Sequence, residues 1–293
     1  MSVPARRRRV YSLRPAALGC FLLWVGAAAA QAEWLQLRGD HFIVYYSPAH
    51  QRPAETSGKR AEAYYYSLAQ ELGYARYDNF WQWEKRVKIY LYPDRESYLQ
   101  ATRRPEWSQG CADYSRKSIS TYVGGHDFLD TVLPHEIGHL IFRDYVGFTG
   151  DIPLWLDEGV AQWAEQAKKD ERRALMRELV AQGVAVPLVR LTAANAQNLH
   201  AQVLIAVPAT VSAREQSGRI VTVDNFSPVA LFYLQAFSLV DFLIQSQGAA
   251  AFTGFCRQLR DGKKLDEALR FSYPLRIRSL EELEYQWRQD MRE

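Results

Sequence analysis

The sequence predicts an α+β protein in which a small mixed sheet precedes a mainly helical region. Two segments near the start, Phe42–Tyr46 and Val87–Tyr92, are rich in β-branched and aromatic residues and are typical of strands. In the second half, apolar residues recur mainly at helical spacing. We therefore expect one domain over residues 33–293, with an α/β lobe at 33–130 and a helical lobe at 131–293.

The first 32 residues predict an export signal. A run of arginines at 6–9 and Arg14 form a basic segment, residues 16–30 form an apolar core, and Ala30-Gln31-Ala32 is an A-x-A cleavage site. The apolar run is short for a membrane span, although an uncleaved anchor is the alternative. We expect the signal to be removed, leaving no stable membrane span in the mature chain. The protein would then be periplasmic or secreted.

Cleavage of the signal changes the net charge of the chain. The full sequence has 36 Lys and Arg against 33 Asp and Glu; the signal contains five arginines and no acidic residue, which leaves a net charge of −2. This balance gives no indication of a nucleic-acid partner. Two cysteines remain, Cys111 and Cys256, and the sequence leaves open whether they form a disulfide or stay free. The sequence leaves the oligomeric state open as well.

Local patterns define the elements of the first lobe. Residues 54–72 predict a helix that ends at Gly73, and Pro93-Asp94 precede a second helix, Arg95–Thr102. Two short strands, 111–114 and Ser118–Tyr122, are expected to form a hairpin.

A third helix is predicted at residues 131–146, where apolar residues fit a helical period. Asp130 or Thr131 is expected to cap its start. Pro134 falls in the first turn, where its missing N–H costs little, and Gly147 is a suitable stop.

This third helix carries the motif His135-Glu136-x-x-His139. Residues four apart lie on one helical face, so both imidazoles can reach a single metal ion. Glu136 can then sit beside a metal-bound water and act as general base. Two packed or exposed histidines are the alternative interpretation of these five residues.

A third ligand is available downstream. Catalytic zinc takes three protein ligands and keeps one open position, and two histidines with one glutamate are a standard set. Glu158 follows His139 after eighteen residues, enough for a loop and a returning antiparallel helix. A solvated helix carboxylate is the alternative, but the neighbours Trp155, Leu156 and Val160 are apolar, where a lone charge is costly. Partners for the imidazoles stay open among three residues: Asp144, Asp157 and Gln162.

The segments HEIGH (135–139) and WLDEG (155–159), at this separation, resemble the gluzincin metallopeptidases, the group of thermolysin and the aminopeptidase-N-like enzymes, and in particular the bacterial peptidase-MA-like families. The resemblance implies a zincin-like fold with the zinc site between the two lobes. It also implies one Zn²⁺ bound by His135, His139 and Glu158, with Glu136 as general base in the hydrolysis of peptide or protein substrates.

The same resemblance implies two further roles. In gluzincins the strand before the motif helix is a sheet edge that pairs with the substrate backbone. By that likeness the substrate strand consists of Ser118, Ile119, Ser120, Thr121 and Tyr122, with a plain edge strand as the alternative. Tyr233-Leu234-Gln235-Ala236 is similar to the Tyr-x-Lys-Gly element whose tyrosine stabilises the oxyanion, and a core tyrosine is the alternative for Tyr233.

The rest of the chain predicts helices and one irregular segment. The expected helices are residues 170–182, 226–247, 249–260, 265–271 and 280–292, and residues 203–224 are expected to form a hairpin or loop that could cover the cleft.

These patterns favour a zinc-dependent endopeptidase. The Gly-x-Met-x-Asn element, by which aminopeptidase-N-like enzymes hold a free amino end, has no counterpart here. The alternatives are an exported protein that retains zinc for binding or assembly without hydrolysis, and an interaction module without zinc.

Overall fold

The computed structural model describes residues 34–73, 81–106, 108–125, 127–148 and 151–292. The predicted signal at residues 1–32 lies outside the described residues. Within them the fold is a mixed α+β arrangement of a small sheet and a mainly helical region.

A five-stranded sheet forms the first part of the fold. Its strands are β1 (Leu35–Arg38), β2 (Phe42–Tyr46), β3 (Val87–Tyr92), β4 (Gly110–Asp113) and β5 (Ser118–Tyr122). They lie in the order β1-β2-β3-β5-β4; β2, β3 and β5 are parallel, and the two outer strands are antiparallel to their neighbours. Helix α1 (Gln51–Glu71) connects β2 to β3, and α2 (Arg95–Thr102) follows β3.

The predicted elements of this part are confirmed, with small shifts at their ends. Strands β2 and β3 bury alternate residues, as the period of two requires for a sheet with one covered face. Helix α1 begins three residues earlier than expected, and Gly73 follows it in the left-handed region (φ 75°). At the start of α2, the Asp94 carboxylate accepts a hydrogen bond from the Ser97 N–H at 2.7 Å.

The expectation that Ser118–Tyr122 is a sheet edge is wrong. Ser120 is paired with Tyr90 of β3 on one side and with Cys111 of β4 on the other. The edge strand is β4, because the hairpin inserts its second strand beside β3 and leaves the first outside. The sequence predicted the hairpin but contained no signal for which of its two strands joins β3.

The helical part contains α3 (Leu133–Val146), α4 (Leu154–Ala164), α5 (Lys169–Ala181), α6 (Leu188–Ala193), α7 (Leu199–Gln202), α8 (Pro228–Arg260), α9 (Leu265–Ser272) and α10 (Leu280–Asp290). Strands β6 (Thr210–Arg214) and β7 (Ile220–Asp224) form the predicted hairpin, which packs on α5. The short helices α6 and α7 were not predicted.

Helix α3 starts differently from the prediction. A π-helical turn, Phe128–Val132, runs directly into α3, and no side chain caps the helix. The Asp130 carboxylate instead accepts a hydrogen bond from Arg60 of α1. Pro134 lies in the first turn and Gly147 (φ 80°) ends the helix, as predicted.

Helix α8 is the longest element, and its start is well defined. The Ser227 hydroxyl accepts a hydrogen bond from the Ala230 N–H, and Pro228 opens the first turn. The predicted break at Gly248 is present, with φ 82° and ψ 171° inside an otherwise helical run. The helix is long and apolar enough to cross a membrane, yet 67% of its most apolar window is buried within the protein. The two described cysteines, Cys111 and Cys256, are free thiols.

Candidate metal centre

Helices α3 and α4 bring together the three residues predicted as metal ligands. His135 Nε2 lies 3.7 Å from Glu158 Oε2, and His139 Nε2 lies 3.8 Å from the same oxygen. One donor atom from each of the three residues lies within 4.8 Å of the others. A tetrahedral ion with bonds of about 2.0–2.2 Å separates its ligand atoms by roughly 3.3–3.6 Å. The three side chains are therefore spaced to converge on one ion after a small contraction.

Two glycines let the helices approach closely enough for this arrangement. A Cβ on Gly138 of α3 would lie 2.9 Å from the Ala164 side chain, and a Cβ on Gly159 of α4 would lie 2.6 Å from the Ala236 carbonyl oxygen. Both distances are shorter than a carbon atom tolerates. Helix α4 is thus held against α3 on one side and α8 on the other, which fixes the position of Glu158.

Both imidazoles are oriented by carboxylates at their second nitrogen. His139 Nδ1 lies 3.0 Å from Asp157 Oδ1, and His135 Nδ1 lies 2.9 Å from Glu165 Oε1. A carboxylate at Nδ1 fixes the tautomer with the proton on that nitrogen, so Nε2 is left with its lone pair for a metal. This pairing is the usual support of histidine ligands in zinc sites.

Only one of the three residues proposed for this supporting role takes part in it. Asp157 does; Asp144 instead accepts hydrogen bonds from Trp81 and Lys117. The side chain of Gln162 does not support an imidazole; its backbone carbonyl accepts a hydrogen bond from Arg172 at 2.7 Å.

Glu165 was missed by the sequence reasoning. It is 3% exposed, and its second oxygen accepts a hydrogen bond from Arg172 of α5 at 2.7 Å. Burial alone raises the pKa of Glu165, but the hydrogen bond from His135 and the Arg172 charge lower it below its ordinary value. A usable signal existed: Glu165 follows Glu158 by seven residues, which is about two helical turns and so the same helix face.

The charges of the cluster favour a bound cation. Burial alone lowers the pKa of His139, but the Asp157 charge and hydrogen bond, together with Glu158 and Glu136, raise it to about 9. Burial raises the pKa of Glu158, against the opposing effect of the two histidines. When the two imidazoles are neutral, the surrounding carboxylates therefore leave an excess of negative charge. A divalent ion among two imidazoles and a carboxylate balances this excess, and this donor set suits zinc.

Glu136 lies beside this donor set without belonging to it. It is half-buried on α3, and its carboxylate charge contributes to the raised pKa values of His139 and Tyr114. It is thus close enough to interact with groups bound at the centre, while the three-residue cluster is complete without it.

Two tyrosines lie near the cluster, one predicted and one not. Tyr233 on α8 is half-buried, and its pKa is raised by burial and by the Glu158 carboxylate. Tyr114 follows β4; its ring meets the His139 ring edge-on with centroids 6.0 Å apart, and the Arg143 guanidinium lies 4.4 Å over it. Burial and the carboxylates of Asp157, Glu136 and Glu158 raise the pKa of Tyr114. No sequence motif pointed to Tyr114, because its position depends on β4 being the edge strand.

The residues predicted as a substrate strand are not open for backbone pairing. Ser118, Ile119, Ser120 and Thr121 have partners on both β3 and β4, and Tyr122 is paired with Tyr92 of β3. Gly110–Asp113 occupies the outer position instead, next to Tyr114.

Comparisons with known proteins give little guidance to function. No family model and no curated protein matches the chain. Among solved structures, the crystal structure of an M1 zinc metallopeptidase from Deinococcus radiodurans is similar, with 16% sequence identity and a TM-score of 0.38. The match covers 89% of this chain and 50% of that one, so this chain spans about half the length of that enzyme. A likeness at this level carries no functional argument, and the function is argued from the site itself.

Proposed function

We propose that the protein is a zinc-dependent peptidase of gluzincin type. The observation that carries the proposal is the arrangement of His135, His139 and Glu158, whose donor atoms converge while a carboxylate supports each imidazole. A fourth carboxylate, Glu136, stands beside the set without being needed to complete it. A purely structural zinc site has four protein ligands and no use for such a base.

The chain's own residues divide the chemical work. A zinc ion held by His135, His139 and Glu158 would act as a Lewis acid and would lower the pKa of water to about 7. Glu136 accepts a proton from the attacking water and delivers it to the leaving amine, as a general base and then a general acid. Tyr233 donates its hydroxyl to the oxyanion that develops on the scissile carbonyl. Tyr114 also interacts electrostatically with the carboxylates near the metal ligands, and it is the competing candidate for this role.

The edge strand β4 is the proposed substrate-pairing strand in place of β5. An extended peptide can add to a free backbone edge through main-chain hydrogen bonds. Strand β4 provides the edge, and its first residue, Gly110, abuts Val132 just before α3. Substrate laid along β4 would therefore run beside Tyr114 toward the metal ligands.

We further propose endopeptidase action on peptides or proteins, because the chain lacks the element that binds a free amino end. We also propose that the signal at residues 1–32 directs export of the protein, which would then be periplasmic or secreted. A zinc-retaining protein without hydrolytic activity is the alternative, and the experiment below separates the two.

The decisive experiment combines metal analysis with an unbiased peptide-library digest of the purified protein. We expect about one zinc per chain and cleavage that a chelator abolishes. Glu136→Gln should keep its zinc and lose about 10²–10⁴-fold in rate, because only the proton transfer is removed. Glu158→Ala should lose the zinc. The matched control is Glu281→Gln, an exposed glutamate on α10.

The outcomes of these experiments separate a peptidase from a zinc-retaining binding protein. Zinc without cleavage supports the binding protein and rejects the peptidase. Absence of zinc rejects both. An unaltered rate in Glu136→Gln rejects Glu136 as the base.

A further inference from the structure

A cavity lies away from the metal ligands, where α5, the β6–β7 hairpin and residues Met291 and Arg292 meet. Its volume is about 410 Å³. Three alanines, Ala174, Ala181 and Ala213, are among its lining residues, and their short side chains leave the space open. No residue of the metal cluster lines it, so the cavity is a separate site.

The charge of this cavity is strongly positive. Four arginines line it, Arg173, Arg177, Arg214 and Arg292, and they come from three separate parts of the chain. The acidic residues among its lining are Asp170 and Glu178, which leaves a formal charge of +2.

The four arginines differ in their polar contacts within the described residues. Arg173 is occupied, since it donates two hydrogen bonds to Asp241 at 2.7 and 2.9 Å. Arg214 donates one N–H to the Gly218 carbonyl. The side chains of Arg177 and Arg292 form no hydrogen bond or ion pair with any residue in the described part of the chain.

Arg177 also carries an orphaned donor. Its Nε–H is buried and lacks a partner among the described residues. A buried donor without an acceptor is costly, so this side chain is held in place without polar pairing to its neighbours among the described residues.

We propose that this cavity binds a phosphate group through Arg177 and Arg292, with Arg214 contributing its remaining N–H groups. A guanidinium presents its donors in a planar fork that matches a tetrahedral oxyanion, and the negative charge of a phosphate can balance the charges of Arg177 and Arg292. The group can come as free phosphate or on a small organic molecule, since the same arginines recognise both. The proposal does not depend on peptidase activity.

Calorimetric titration of the purified full chain with inorganic phosphate tests the proposal, with sodium chloride at matched ionic strength as reference. Because a bound metal also attracts phosphate, the titration is made with and without a chelator, and saturable binding is expected in both. O-phosphoserine forms a parallel arm: tighter binding than inorganic phosphate identifies a carried phosphate, and weaker binding identifies the free ion.

Arg177→Gln and Arg292→Gln should each weaken binding by about tenfold or more, as expected for the loss of charge-assisted hydrogen bonds. Arg276→Gln, an exposed arginine outside the cavity, is the matched control and should bind as the wild type does. Arg292 is itself exposed, so its variant tests the site without risk to the core. Absence of saturable binding, binding that vanishes with the chelator, or equal affinity in Arg292→Gln and wild type would each overturn the proposal.

Discussion

Replacement of Glu165 tests whether the support of the metal ligands is as important as the geometry indicates. In Glu165→Ala, His135 Nδ1 loses an acceptor at 2.9 Å and Arg172 loses its carboxylate at 2.7 Å. Loss of such a partner typically weakens metal affinity 10–100-fold, which corresponds to about 1.4–2.7 kcal/mol. Glu165→Gln keeps an oxygen for the imidazole but loses the charge, so we expect it near the lower end of this range.

Stability should fall as well, for a separate reason. Arg172 is largely buried, with 13% of its side chain exposed, and Glu165→Ala leaves its charge without an ionic partner. Breaking a buried ion pair costs about 3–5 kcal/mol. Because Arg172 keeps its hydrogen bond to the Gln162 carbonyl, we expect the free energy of unfolding to fall by about 3 kcal/mol.

The two effects are measured separately. Zinc affinity is determined by competition with a chelator of known affinity, and stability is determined by urea unfolding of the metal-free protein. Glu281→Gln serves as the control in both. If Glu165→Ala binds zinc as tightly as the wild type, the carboxylate does not orient the ligand and the reasoning is refuted.

Three further predictions concern other parts of the site and fold. Tyr233→Phe should lower peptide turnover about 10²–10³-fold with little change in stability; unchanged turnover would assign Tyr233 to the core and leave the donor role to the tyrosine after β4. Gly159→Ala should lower the free energy of unfolding by about 1–3 kcal/mol, because its Cβ would meet the α8 backbone at 2.6 Å. Gly254→Ala, whose Cβ has an ordinary 3.5 Å contact, is the control, and equal losses in both would contradict the packing argument. Burial raises the pKa of Glu62, yet the hydrogen bonds and charge of His41 lower it below the ordinary 4.5, so this pair stabilises the fold above that pH and loses its effect as the pH falls through the lowered value. Urea unfolding should therefore show Glu62→Gln less stable than wild type at about pH 7, with the difference shrinking at about pH 3; a constant difference would contradict it.

The sequence was most informative where local composition and the residues that begin or end an element determine the structure. Strands β2 and β3, helix α2 and the break at Gly248 follow from β-branched and aromatic content, capping and glycine conformation, all of which act between near neighbours. The clustering of the predicted metal ligands followed from helical spacing and one resemblance.

The errors arose where the outcome depended on distant parts of the chain. Which strand of the hairpin pairs with β3 is decided by tertiary packing, so Ser118–Tyr122 was wrongly expected at the edge. Tyr114 reaches the cluster only because β4 is outermost. For Glu165 the spacing from Glu158 was present in the sequence, but its pairing with His135 and with Arg172 of α5 is visible only in the fold. The capping prediction for α3 failed because the π-helical turn before it replaces a conventional start.

The support of both imidazoles by carboxylates has a consequence for how an ion would enter this site. His135 is oriented through Glu165 and Arg172 of a third helix, so these contacts are made between groups of the protein itself. A chain with this core can fold first and load afterwards, unlike small zinc domains that are unfolded without metal. Copper binds such nitrogen and oxygen ligands more tightly than zinc, so affinity alone does not select the ion. The metal in such a site would then be decided by which ions are available where the folded chain takes up its ion.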